Sequence, residues 1–188
     1  FVESGVAWFA LAMFFMYIIT FYTKRFKPVY VFVLSVVIAM ILGYTGENTD
    51  IFCWMRIVNF YPFFYLGYVI SIEDITKWFE NKKIKVMAII SLITYFVICY
   101  VGIDKIFWLR FLLTGRSGYY RLEYGMAYGP LIRLGVYVIS FFIVFMFLSI
   151  MPKRRFILSK IGQRSLSVYV FHYVFIYIYM ASSLYKYL

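Results

Sequence analysis

Long apolar runs separated by short basic clusters dominate the chain. A membrane-crossing helix needs about 20 mainly apolar residues, and six stretches approach that length: residues 4–22, 29–44, 51–72, 86–103, 134–151 and 165–185. The second is short, with Lys27 and Tyr44 placed to reach the two interfaces. No internal repeat or low-complexity tract interrupts the pattern. It predicts an all-α fold, a polytopic transmembrane helical bundle of about six spans plus interfacial helices, forming one membrane domain over residues 1–188.

Two linkers carry a helical period of their own. Ile72, Ile75, Trp78 and Phe79 fall on one face while Glu80, Lys82 and Lys83 fall on another, as in a helix lying in the interface. Ile157, Leu158 and Ile161 repeat this among bases, with Gly162 placed to end that helix and Ser165 to cap the next. The bases of these linkers either meet an anionic ligand or lipid headgroup, or simply orient the chain by charge.

Composition agrees with the pattern. Of 188 residues 65% are hydrophobic and only 14% charged, and the mean hydropathy is +0.86, more apolar surface than one soluble core can bury. The 20 Tyr and 22 Phe suit bilayer interfaces, where a ring is buried and a hydroxyl stays wet. The expected location is the cell membrane, crossed several times.

The net charge of +11 acquires meaning only from where the bases lie. TKRFKP holds three, EDITKWFENKKIK four and PKRRFILSKIGQR five, all on one face of the expected bundle. The opposite face has five between Lys105 and Arg133, plus Lys186. The positive-inside rule makes the richer face cytoplasmic and both chain ends external. No nucleic-acid-binding motif is present, so no nucleic-acid partner is expected. Cys53 and Cys99 lie in apolar runs without metal-ligand spacing and read as buried hydrophobes; no metal is expected. The chain opens at Phe1 without a leader pattern, which suggests a piece of a longer protein.

Polar groups inside apolar runs are the candidate chemistry. The third run, IFCWMRIVNFYPFFYLGYVI, carries Arg56 and Asn59 three apart on one face, and Pro62, which removes a backbone donor. Together they would line a polar cavity, unless Arg56 snorkels to the headgroups. The outer linker over residues 102–133 combines Arg110, Arg116, Arg121 and Arg133 with Tyr119, Tyr120, Tyr124 and Tyr128, and with Gly115, Gly118, Gly125 and Gly129. Forked guanidinium donors beside flat phenols suit a glycan or a phosphorylated ligand, and an ordinary loop anchored by Tyr would look the same. The last run places Ser165, Tyr169, His172, Tyr179 and Ser183 on one face. His172, the single histidine, is there either a proton acceptor or a structural bond between helices, worth about 0.6 kcal/mol on average.

Three motifs resemble the acyltransferase 3 family, especially its fucose 4-O-acetylase-like branch. GQRSLSVYVFH, from Gly162 to His172, resembles the family's closing pattern of Gly, a base, Ser or Thr, Leu, then Tyr and His. RIVNFYPFFYLGY, from Arg56 to Tyr68, resembles its Phe-x-Pro-Phe-Phe-x-Leu-Gly signature, and AWFALAMFF, from Ala7 to Phe15, a Trp-Phe run of a mid-chain span. All three occur in the family's order across nearly the whole chain. The resemblance implies the C-terminal portion of a roughly ten-span enzyme. Such enzymes transfer an acyl group, usually acetyl from acetyl-CoA as co-substrate with no permanent cofactor, to a hydroxyl of a cell-surface or lipid-linked polysaccharide. The family's principal catalytic His belongs to its opening spans, which nothing here matches, so the catalytic residue is unknown and His172 marks the family or orients a partner. The family commonly keeps both termini cytoplasmic, and a re-entrant segment within 102–133 would reconcile that with the charge count.

The expected function is therefore membrane-bound O-acyl transfer, with lipid, an acyl-CoA donor and a glycan acceptor as partners. Arg56, Asn59, Arg116, Arg121 and Tyr169 are the expected substrate- or donor-binding residues. A polysaccharide polymerase or flippase that moves glycan without acylating it, or a purely structural membrane subunit, would use the same loop.

Overall fold

The computed structural model describes residues 7–45, 53–79, 81–115, 117–122 and 125–151, with 162, 168, 169, 171, 172, 175, 178, 179 and 182. No strand occurs among them. Helix α1 spans Ala7–Thr23 and α2 Pro28–Leu42, the latter started by Pro28, whose fixed φ suits a first helical position. Cys53, with φ at 60°, turns the chain into α3, Trp54–Val69. Helix α4, Ile72–Trp78, begins where the Ser71 hydroxyl accepts a 3.1 Å bond from the Asp74 amide. Helix α5, Lys82–Val101, begins where Asn81 Oδ1 accepts from the Lys83 amide at 2.9 Å. The single-turn helices α6, Ile103–Ile106, and α7, Arg110–Leu113, are joined by a 3-10 turn. A second 3-10 turn at Tyr119–Arg121 precedes α8, Gly125–Ile150.

Helix α3 is the hub. Its Ile57, Tyr61 and Tyr65 bury against Ala12 and Met16 of α1 and Val31 of α2, while its Val58 meets Ala39 of α2 and Tyr137 of α8. Helix α8 also packs along α5 and α2, and its Phe141 stacks on Phe63 of α3 with centroids 4.2 Å apart. Trp8 lies beside Phe60, and Tyr17 beside Phe64, so α1 and α3 run parallel.

These contacts sort the ends of the bundle. Thr45 Oγ1 reaches Met55 Sδ at 3.4 Å, and the Tyr119 amide donates to the Gly43 carbonyl at 2.7 Å. One end therefore gathers the end of α2, the start of α3, the 102–122 segment and the start of α8. The opposite end gathers α4, through Phe79 beside Phe145, and the basic turns at Lys24–Lys27 and Lys77–Lys85. Two helices, Lys82–Val101 and Met126–Ile150, are long and apolar enough to cross a membrane; Trp8–Thr23 and Pro28–Leu42 are apolar but shorter.

Several boundaries differ from the hydropathy pattern. The third apolar run ends as a helix at Val69, because Ile70 is extended and Ser71 opens α4, so Ile72 joins α4. Lys82 and Lys83 belong to the first turn of α5, not to an interfacial helix, because Asn81 caps at that point. Of the expected interfacial face, Phe79 is buried and Ile75 half-buried, but Trp78 is exposed. The fifth expected span, α8, starts nine residues early, at Gly125 instead of Leu134. Residues 125–133 read as loop because Gly and Pro weaken helices; packing against the 119 turn overrides that local preference. The expected second interfacial helix and Ser165 lie outside the described residues, as do the residues on either side of Gly162.

Candidate functional site

The chemistry concentrates where α3 and α8 meet under the 115–121 segment. Asn59 is buried at 6% exposure and Arg133 at 3%. Arg133 Nη1 donates to Asn59 Oδ1, and Asn59 Nδ2 donates to the Gly115 carbonyl at 2.9 Å. Arg133 Nη2 donates to the Ser117 carbonyl at a longer 3.3 Å, and Nε, also buried, has no acceptor. The Tyr137 hydroxyl donates to the Asn59 backbone carbonyl at 2.9 Å. That carbonyl is one residue beyond Val58, whose own helical donor Pro62 lacks.

The 115–121 segment has a mechanical support. Gly115 adopts φ +67°, a left-handed turn that an L side chain enters at a penalty. Tyr119, fully buried, wedges its ring between Gly43, which caps the end of α2, and Gly129 of α8, where any Cβ would collide with it. Its hydroxyl donates to the Met40 carbonyl at 2.8 Å, and the Arg133 guanidinium lies 5.1 Å over its ring. Burial pushes the Tyr119 phenol above its ordinary pKa, a rise that Arg133 partly opposes. The wedge holds Ser117 where its carbonyl meets Arg133.

A cleft of about 350 Å³ opens beside this network. Asn59, Arg133, Tyr137 and Ser140 supply its polar atoms, and Phe60, Phe63, Leu112, Val136 and Val144 its apolar walls. No carboxylate pairs with Arg133 among the described residues. A buried guanidinium met only by neutral oxygens attracts an oxyanion, and it is suited to hold negative charge rather than to take a proton.

The expected site residues do not all converge here. Arg56 is buried at 7% exposure, so it does not snorkel, but its guanidinium stacks 4.7 Å over Trp8 on the α1 side of α3. Arg56 and Asn59 therefore share a helix without sharing the cleft. Arg121 is exposed, 5.5 Å from the Phe111 ring and 5.7 Å from that of Tyr120. Arg116 lies outside the described residues. Tyr169 is half-buried, edge-on to Phe9 at 5.4 Å. His172 is helical and half-buried, its Nδ1 bonded to the Tyr169 carbonyl one turn back. Tyr179 is 40% exposed, which breaks the expected inward stripe; Ser165 and Ser183 lie outside the described residues.

The residues that sequence reasoning missed are Tyr137 and Ser140, and it placed Arg133 in a loop. The signal was present, since Arg133, Val136, Tyr137, Ser140 and Val144 follow helical spacing along one face once α8 is extended to Gly125.

A family model for an acyltransferase domain, acyltransferase 3, matches residues 4–186. No curated protein and no solved structure matches the chain. With nearly its whole length covered by that model, and its cationic cleft built from the motif segment around Asn59, the chain belongs to the acyltransferase 3 family.

Proposed function

We propose that this chain is part of a multi-pass cell-membrane O-acyltransferase of the fucose 4-O-acetylase-like kind, moving acetyl from acetyl-CoA to a hydroxyl of a cell-surface or lipid-linked polysaccharide. The observation that carries the reading is the buried Arg133–Asn59 pair in a cleft of an acyltransferase-family chain. Embedding in a bilayer is supported by apolar faces left bare, such as Val29, Val33 and Leu34 of α2 and Met87, Ile90 and Phe96 of α5. Helices α1, α2, α3, α5 and α8 and the run over 165–185 are then the six spans. At 17 and 15 residues, α1 and α2 are about 25 and 22 Å long, and flanking Lys and Tyr complete the crossing. The basic end is cytoplasmic, which puts the Arg133 end of the cleft nearer the outer face, where a surface glycan arrives.

In the reaction the acceptor hydroxyl oxygen attacks the thioester carbonyl, the C–S bond breaks, and the hydroxyl proton leaves with the CoA thiol. Negative charge develops on the carbonyl oxygen, and a fixed guanidinium in a low-dielectric cleft favours that charge. In this reading Arg133 and Asn59 hold an anionic or polar part of the substrate. Arg56, beside Trp8 and the Phe9–Tyr169 pair, lines the donor path, and Arg116 and Arg121 meet glycan at the rim. His172, bonded within its own helix, positions Tyr169.

The test uses membranes carrying the full natural protein, radiolabelled acetyl-CoA and a panel of surface glycans. Acetyl label on a glycan hydroxyl is expected, and absence of transfer to every acceptor overturns the reading. Replacing His172 with Gln leaves most activity; a loss of several hundredfold would make it a catalytic residue instead.

A further inference from the structure

The cleft has an orientation that acyl transfer alone does not require. The α8 residues facing it, Arg133, Val136, Tyr137, Ser140 and Val144, run about 16 Å along the helix, with the cation at one end and apolar side chains toward the other. Phe60 and Phe63 of α3 and Leu112 of α7 close the sides. Apart from the Ser140 hydroxyl and the Tyr137 phenol, which is bonded to the Asn59 carbonyl, the groove is polar at the Arg133 end and apolar beyond it.

The guanidinium is only partly used. Nη1 is committed to Asn59. Nε and Nη2 share the other edge of the planar fork, where Nε has no acceptor and Nη2 makes a long 3.3 Å bond to Ser117, with the Tyr119 ring beside the guanidinium. That edge is the one that grips a phosphate or carboxylate through two parallel bonds. Arg133 is 3% exposed, and no carboxylate among the described residues pairs with it. A buried cation with an unpartnered Nε, at the head of a mainly apolar channel, fits a ligand with an anionic head and a hydrocarbon body.

We propose that this groove binds an amphiphilic phosphate, with the phosphate on the Nε–Nη2 edge of Arg133 and the hydrocarbon along Val136–Val144. A lipid-linked glycan carries that chemistry, and so does a bulk anionic lipid. Naming the first as the occupant rests on the polysaccharide reading above, whereas binding itself does not. If a lipid-linked acceptor is held there, its phosphate anchors the chain end while the sugars extend to the outer rim.

The experiment measures thermal unfolding of the full natural protein in a neutral maltoside detergent. Dodecyl phosphate, inorganic phosphate and sodium chloride are added at matched ionic strength. Dodecyl phosphate is expected to raise the midpoint by about 2–4 °C at saturating excess, with inorganic phosphate and chloride giving no comparable rise. The variant Arg133→Gln should lose the shift. Because it also touches the Asn59 bond, Ser140→Trp is the second variant, filling the groove while leaving Arg133 and Asn59 in place, and it too should lose the shift. An equal rise with inorganic phosphate, no rise with dodecyl phosphate, or a rise that survives both substitutions overturns the proposal. An isoprenoid phosphate competing at lower concentration than an anionic diacyl phospholipid identifies the lipid-linked source; the reverse order overturns that assignment. None of these readouts requires acetyl transfer, so they fail or succeed independently of it.

Discussion

Replacing Asn59 with Ala is the sharpest probe of the buried network. The substitution removes two side-chain bonds, Nδ2 to the Gly115 carbonyl and Arg133 Nη1 to Oδ1, while the Tyr137 bond to the Asn59 backbone remains possible. A neutral buried bond contributes about 1 kcal/mol and one to a charged partner about 1.5–3 kcal/mol, so the loss should total about 2–4 kcal/mol. Replacing Arg133 with Met should be much milder, because it removes a buried charge along with the bond and keeps an apolar stem of similar reach. In the Arg133→Met background, Asn59→Ala should therefore lose only the Gly115 bond. The coupling between the two sites is then about 1.5–3 kcal/mol, above the average for bonds between membrane helices because one partner is charged. Unfolding by sodium dodecyl sulfate in mixed micelles, followed by tryptophan fluorescence for all four variants of the cycle, measures it. Equal effects of Asn59→Ala in both backgrounds would refute the claim that Arg133 depends on Asn59.

Gly129→Val drives a side chain into the Tyr119 ring and should destabilise the fold by about 1–3 kcal/mol, with the 115–121 segment becoming the first site of limited proteolysis. Gly115→Ala meets both the left-handed backbone and Phe60, and should lose about 1–2 kcal/mol in the same unfolding assay. The folded-state pKa of Tyr119 is raised, so its contribution is complete below about pH 10, the unfolded value, and is lost as pH climbs through the folded value. Stability should accordingly fall above pH 10, with a shallower fall in Tyr119→Phe; an unchanged profile would remove Tyr119 from the account. Cysteines placed at Lys82 and Thr45 should react with a membrane-impermeant maleimide from opposite sides of sealed vesicles, since the two positions lie at opposite ends of the bundle.

Much of the architecture was legible in local pattern. The apolar runs and the basic turns depend on neighbours within one or two turns, the range over which hydropathy acts, whereas the equally local caps at Ser71 and Asn81 set boundaries that the hydropathy pattern did not mark. Helix boundaries were less legible where a residue's local preference opposed its surroundings. Gly125, Gly129 and Pro130 read as loop because each weakens a helix, yet Gly129 is helical because only a residue without a Cβ lets α8 close on Tyr119. Arg56 and Asn59 were correctly placed inside an apolar run, but their shared cavity was an inference from spacing alone. A separation of three on a helix leaves about 60° between side chains, enough for one to face α1 and the other α8.

The sequence by itself determined that this chain is helical, strongly apolar, basic at one set of turns, and marked by Arg, Asn and His inside its apolar runs. It did so because those properties follow from side-chain chemistry and from contacts a few residues apart. Only the tertiary structure decided which polar groups meet. The bond between Arg133 and Asn59 spans 74 residues, and that of Tyr119 to Met40 spans 79. Pairings at such separation depend on helix direction, on register and on how closely glycine-bearing surfaces approach. Packing settles those quantities across the whole bundle, and no local window contains them.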